Sequence, residues 1–189
     1  MRLLAAGGLA AVLALTACHS SPASPPAGGA GSAPAPTPPG TAKALTVTSD
    51  FAAGQPIARQ HTCKGAGTAP VLHWSGVPAQ ARSLAVVVRD PDAPSGEFLH
   101  WIVVDLPATA TSLTAGELPA GAHEAKNSRG TTGWTPPCPP SGTHHYHFTV
   151  SALDTTTGVG GGAAVQTALA AVRAHTVAYG DLTGTVAAG

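Results

Sequence analysis

Charge is scarce in this chain, and nowhere does it cluster. Nine of 189 residues are Lys or Arg and nine are Asp or Glu, so the formal net charge is zero with histidine neutral. Without a basic patch or stripe the electrostatic footprint of a nucleic-acid binder is missing. Long apolar runs are missing too: the stretch from Leu3 to Leu15 is shorter than the roughly 20 apolar residues a membrane-spanning helix needs. The Gly-x-Ser-x-Gly elbow that exposes a nucleophilic serine does not occur. Nor does a Gly-rich loop followed by Lys and Ser/Thr, which disfavours a nucleotide hydrolase. Cysteine is limited to Cys18, Cys63 and Cys138.

What is present begins with an export pattern. Arg2 precedes the short apolar run, and Leu15, Thr16, Ala17 and Cys18 resemble a bacterial lipobox, in which the leader is cut before a cysteine that then receives lipid. That expects residues 1–17 to be a leader and Cys18 to anchor the protein to the extracytoplasmic face of the cell membrane. From His19 to Lys43 the chain is almost entirely Pro, Ala, Ser, Gly and Thr, a composition that cannot bury enough apolar surface to offset its ordering entropy. Residues 18–43 therefore read as a lipidated, disordered tether, reaching on the order of 75 Å if extended at about 3.1 Å per residue. Residues 44–189, about 145 in all, suffice for one domain with a real core. In an oxidising compartment the two cysteines of that domain are expected to pair, so Cys63 and Cys138 form a candidate disulfide.

Short runs rich in Val, Ile, Thr and aromatics recur between Gly/Pro clusters: "ALTVTS", "SLAVVVRD", "FLHWIVVDL" and "HHYHFTVSAL". Only "AAVQTALAAVRAH", Ala163 to His175, carries apolar residues at helical spacing, through Val165, Leu169 and Val172. A β-sandwich with a helix packed near one end is expected. Alternate residues of a strand face opposite sides, so Asp90 continues the apolar face of Leu84, Val86 and Val88. By the same parity His144 and Tyr146 turn inward with Phe148 and Val150, while His145 and His147 turn to water. Both faces of "FLHWIVVD" are apolar, which predicts a central strand and a His100 that is buried or lines a cavity.

An aspartate and two histidines in core-facing phase are costly to bury unless they find partners or line a pocket. Taken singly, His100 reads as a satisfied core histidine and Asp90 as a turn cap before a proline. Their combination with His144 points to a site. A metal is not called for: His145 and His147 share one face and His144 the other, short of three or four converging ligands. No other cofactor is implied.

The stretches "DPDAP", "LHWIVVDLP", "KNSRGTTGW" and "CPPSGTHHYHFTVSALD", with "HTCKGAGTAPVLHW" upstream, resemble in order and spacing the phosphatidylethanolamine-binding protein (PEBP) family, in its bacterial Raf kinase inhibitor-like branch. The resemblance implies a Greek-key antiparallel β-sandwich with a small anion-binding pocket at one end. Carried onto this chain, the pocket would be Asp90, His100, His144 and Tyr146, with Pro91, Asp92 and Pro139 shaping its rim. Where relatives carry glycines, this sequence has Thr135 and Pro136, and Pro136 offers a ligand no backbone N–H. The ligand implied is phosphate or a phospholipid head group, held by histidine donors, with Asp90 orienting a histidine or pairing with an ammonium. A non-enzymatic, membrane-anchored binding protein is thus expected. Two other readings stand beside it: an inhibitor of a protease or modulator of a kinase through protein contact, and, more weakly, a hydrolase using the same pocket.

Overall fold

A computed structural model describes residues 42–189. The expected leader, Cys18 and all but the last two residues of the expected tether lie outside the described residues. The strands are β1 (Ala42–Lys43), β2 (Thr46–Thr48), β3 (Leu72–Ser75), β4 (Ser83–Asp90), β5 (Phe98–Pro107), β6 (Ser112–Leu113), β7 (His123–Glu124), β8 (Thr143–Leu153) and β9 (Thr176–Ala187), with the helix α1 (Val165–His175) between the last two. They form a six-stranded sheet in the order β1-β9-β8-β4-β5-β7 and a three-stranded sheet in the order β2-β3-β6. All pairings are antiparallel except β1 with β9. The architecture is mainly β, as the strand-like runs predict.

Side-chain alternation sorts the core into two layers. Leu84, Val86 and Val88 of β4, Trp101 and Val103 of β5, and Tyr146, Phe148 and Val150 of β8 meet Val47, Leu72 and Trp74 of the smaller sheet. From the other face of the same strands Ala85, Val87, Ile102 and Val104 pack against Ala168 and Val172 of α1. β5 is therefore covered on both sides, which is why neither of its parities is polar. The helix begins two residues later than Ala163: Ala164 has an extended ψ of 146° and no side-chain cap, because alanine has nothing with which to accept from the first free N–H groups.

Five strands escape the sequence reading: β1, β6 and β7 are only two residues each, which leaves β3 and β9. β9 is the longer, and its pattern is masked by Gly180 and Gly184, residues that normally weaken a strand. Here close approach requires them. A Cβ on Gly180 would lie 2.4 Å from the Leu45 carbonyl oxygen, and one on Gly184 would lie 2.5 Å from Ile57 Cγ1 and 2.7 Å from Phe51 Cε2. β3 is only four residues long, and its alternation of Leu72 and Trp74 inward with His73 and Ser75 outward is too brief to register.

Two irregularities in β5 matter more. Val88 pairs with Trp101 but Arg89 pairs with Leu99, so His100 is an extra residue opposite no partner; a second shift falls between Leu84 and Val86. Within the second lies Asp105, the one non-glycine residue of positive φ among the described residues, at 58°. Its carboxylate accepts from the backbone N–H and the hydroxyl of Thr157, which compensates the left-handed backbone. The disulfide is present: Cys63 and Cys138 are bonded at 2.02 Å with their Cα atoms 5.4 Å apart.

Candidate functional site

At one end of the larger sheet the C-terminal end of β4, the start of β5 and the start of β8 converge on a cavity of about 160 Å³. Asp90, His100, His144 and Tyr146 all line it, from three different strands. All four are buried, none more than 6% exposed. Strand parity is what brings Asp90, His144 and Tyr146 here. His100 arrives otherwise. Strict alternation from Trp101 would turn it toward α1 with Ile102, whereas the extra residue in β5 lets it reach the cavity.

Each polar group is held from behind. His144 Nδ1 lies 2.7 Å from Asp90 Oδ2, and the backbone N–H of Asp92 donates to Asp90 Oδ1 at 2.8 Å. Asp90 is thus an orienting group for His144 as well as a turn cap. His100 Nδ1 donates to the Thr135 carbonyl at 2.7 Å, and the Thr135 N–H returns a bond to the His100 carbonyl at 2.9 Å. Burial lowers the pKa of His100, so the neutral ring is the favoured form. The ring also packs against Phe98 at 4.7 Å and Tyr146 at 5.2 Å between centroids.

Tyr146 differs from the others because its hydroxyl, fully buried, makes no hydrogen bond of good geometry among the described residues. Burial first, and the nearby Asp90 carboxylate second, raise its pKa, so it remains a protonated donor. Native proteins rarely leave such a group unsatisfied.

Pro139 lines the cavity, as do Thr135 and Pro136. Pro91 and Asp92 do not line it. Asp92 instead accepts from both the backbone N–H and Nδ1 of His145, each at 2.8 Å, and that contact lowers its pKa despite some desolvation. It braces β8 from outside. His145 and His147 stay off the cavity, as parity predicts, and His147 sits 3.3 Å from Asp181. Among the described residues no group of three or more His, Cys, Asp or Glu could hold a metal ion.

Two functional candidates went unread in the sequence. Arg129 lines the cavity and brings a guanidinium to it. Asn127, 2% exposed, organises the loop that carries Arg129: its amide donates to the Gly133 carbonyl and the Thr135 hydroxyl, and its Oδ1 accepts from the Arg129 N–H. The loop is fastened to β5 through Ser128 and Leu99, which exchange a backbone and a side-chain bond. An Asn two residues before the one cation of "KNSRGTTGW" that lies among turn residues was the signal available.

A family model described as phosphatidylethanolamine-binding protein matches residues 47–187. The chain belongs to that family. A UPF0098 protein of Methanothermobacter thermautotrophicus is 41% identical over 133 residues, covering 68% of this chain and 88% of its own. LppC of Mycobacterium tuberculosis, which bears the name of a candidate lipoprotein, is 46% identical over 155 residues, covering 78% of this chain and 77% of its own. Among solved structures, E. coli YbcL, described as a new member of the mammalian PEBP family, superposes with a TM-score of 0.72 at 34% identity, covering 77% of this chain and 99% of its own. The resemblance carried by the sequence motifs and the observed two-sheet architecture thus agree with the family assignment.

Proposed function

We propose that this protein is a lipid-anchored member of the phosphatidylethanolamine-binding protein family whose pocket holds a small anionic or zwitterionic ligand, phosphate or a phospholipid head group, without turning it over. One observation carries the reading: the Tyr146 hydroxyl is buried in the cavity wall and, with the Asp90 carboxylate as its neighbouring acceptor, makes no hydrogen bond of good geometry. A ligand oxygen would satisfy it, and an unsatisfied buried donor otherwise costs roughly 1 to 3 kcal/mol. Arg129 supplies positive charge at the same cavity, and Asp90 holds His144 in one orientation. Anchoring through Cys18 is supported by the Leu15 to Cys18 pattern and by the relative named as a candidate lipoprotein. It would place the pocket on the extracytoplasmic side, where the Cys63–Cys138 bond persists.

The test is calorimetric titration of the full chain with phosphoethanolamine and with inorganic phosphate, wild type against His144→Ala. Saturable binding that the variant loses is the expected result. A well-folded wild type that binds neither sinks the reading and turns attention to a protein partner.

A further inference from the structure

One wall of the cavity is poorly able to fasten itself. Thr135 is tied to His100 through a reciprocal pair of bonds, and the Gly142 carbonyl accepts from the Ala188 N–H at 2.7 Å. Between those fixed points runs a rim, residues 136–141, of which Pro136, Cys138, Pro139 and Pro140 line the cavity. Pro136, Pro137, Pro139 and Pro140 have no N–H with which to pin it. The N–H groups of Cys138 and Ser141 make no backbone bond among the described residues. Pro137 and Pro139 are buried, but apolar contact is non-directional. Directional hold comes from Cys63, whose N–H donates to the Pro137 carbonyl at 3.0 Å and whose sulfur is bonded to Cys138.

The Cys63 side of that bond is braced. His61 reaches the Thr68 carbonyl and the Asp50 carboxylate, each at 2.8 Å. The Thr62 hydroxyl donates to the Arg59 carbonyl at 2.9 Å, and Arg59 Nε donates to the Lys64 carbonyl at 2.8 Å. The disulfide therefore joins a braced segment to an unbraced rim. Both of its residues are exposed, so a thiolate can reach them, and exposed disulfides tend to be the labile, regulatory ones. Resting on the reading of the pocket as a ligand site, we infer that Cys63–Cys138 is a redox latch: oxidised, it holds the rim in place against a ligand, and reduction by a dithiol frees the rim and weakens the ligand's hold. One thiolate of the dithiol attacks a cysteine sulfur, forming a mixed disulfide and releasing the other cysteine as a thiolate. The second thiolate then displaces the remaining cysteine. The dithiol ends as a disulfide, and its two electrons and two protons leave the chain with two thiols. The coupling is mutual: a saturating ligand that prefers the oxidised chain about tenfold makes its reduction about tenfold less favourable, a shift of about 30 mV.

The experiment compares the full chain oxidised, the full chain in dithiothreitol, and Cys63→Ser, which opens the bond but leaves Cys138 in the cavity wall. Inorganic phosphate and phosphoethanolamine are the probes. The tighter of the two should bind the reduced chain and the variant about tenfold more weakly than the oxidised chain. The nitrogen-15 order parameter of the Cys138 amide should fall on reduction from about 0.85 to below about 0.6, while that of Phe148 on β8 stays unchanged. Affinities of oxidised and reduced chain within about twofold overturn the latch and leave the ligand site intact. A Phe148 amide that loosens together with Cys138 also overturns it, because the bond would then hold the whole sandwich rather than the rim. If neither probe binds the oxidised chain, the ligand site falls separately and the Cys138 amide decides: loosened on reduction it upholds the latch, equally rigid in both states it sinks it.

Discussion

Opening the Cys63–Cys138 bond should lower the unfolding free energy by several kcal/mol, and the loop it closes sets the size. The two cysteines are 75 residues apart. In the chain-entropy treatment a loop of that length restricts the denatured ensemble by about 15 cal/mol/K, or about 4.5 kcal/mol at 25 °C. Measured losses usually fall somewhat below the entropic value, so about 2 to 4.5 kcal/mol is the expected range. The bond is not the sole fastening of its segment, which limits how much native structure goes with it. The Cys63 N–H donates to the Pro137 carbonyl at 3.0 Å, and His61 bridges the Thr68 carbonyl and the Asp50 carboxylate, each at 2.8 Å. Those contacts survive reduction. The assay is urea unfolding of wild type and of a Cys63→Ala/Cys138→Ala variant, with wild type repeated under reductant. The variant should lose several kcal/mol at 25 °C and show a larger m-value, because its unfolded chain is less compact. A loss below about 1 kcal/mol with an unchanged m-value would refute the reasoning. Because Cys138 also lines the cavity, the same variant should bind the pocket ligand more weakly.

Three further outcomes follow from other contacts. Gly184→Ala should cost on the order of 1 to 3 kcal/mol in denaturant unfolding, since its Cβ would sit 2.5 Å from Ile57 Cγ1 in a packed core. Asp90→Asn should weaken zwitterion binding and move the ring nitrogen-15 shifts of His144, as the amide cannot hold Nδ1 as a carboxylate does; an unchanged affinity and unchanged shifts would count against Asp90 as the orienting group. His100, whose folded pKa lies below the ordinary 6.5, binds fewer protons folded than unfolded, so its share of stability is full above about pH 6.5 and falls as pH drops from there toward the folded pKa. A His100→Gln variant should lose that part of the acid dependence of the unfolding free energy.

Much of the scaffold was legible because burial writes its period into a strand. Leu84, Val86 and Val88 announced one face of β4, Asp90 rode the same phase, and His144 and Tyr146 did so on β8. β9 was illegible for a physical reason: Gly180 and Gly184 record the approach of Leu45, Phe51 and Ile57, neighbours that lie more than 120 residues away in the chain. Local propensity cannot register a contact of that range. Arg129 was missed on similar grounds, because nothing nearby in sequence says that the loop anchored by Asn127 folds over the end of β5.

His100 shows how the unread part and the read part combine. Its neighbours Leu99 and Ile102 belong to the layer under α1, and an unbroken strand would leave the histidine among them as a buried polar cost. One extra residue in β5 turns that cost into a cavity group, and the Thr135 carbonyl then fixes which ring nitrogen holds the proton. The reciprocal Thr135 N–H bond draws the 127–135 loop, and Arg129 with it, to the same end of the sheet. A Thr135→Ala variant keeps both backbone bonds and loses only the hydroxyl that accepts from Asn127, so it should loosen the loop while leaving the His100 tautomer intact. Nitrogen-15 shifts of His100 in that variant that still report a protonated Nδ1, alongside faster amide exchange at Arg129, are the expected outcome. A changed tautomer would show that the loop, rather than the main-chain pair, sets the proton's position.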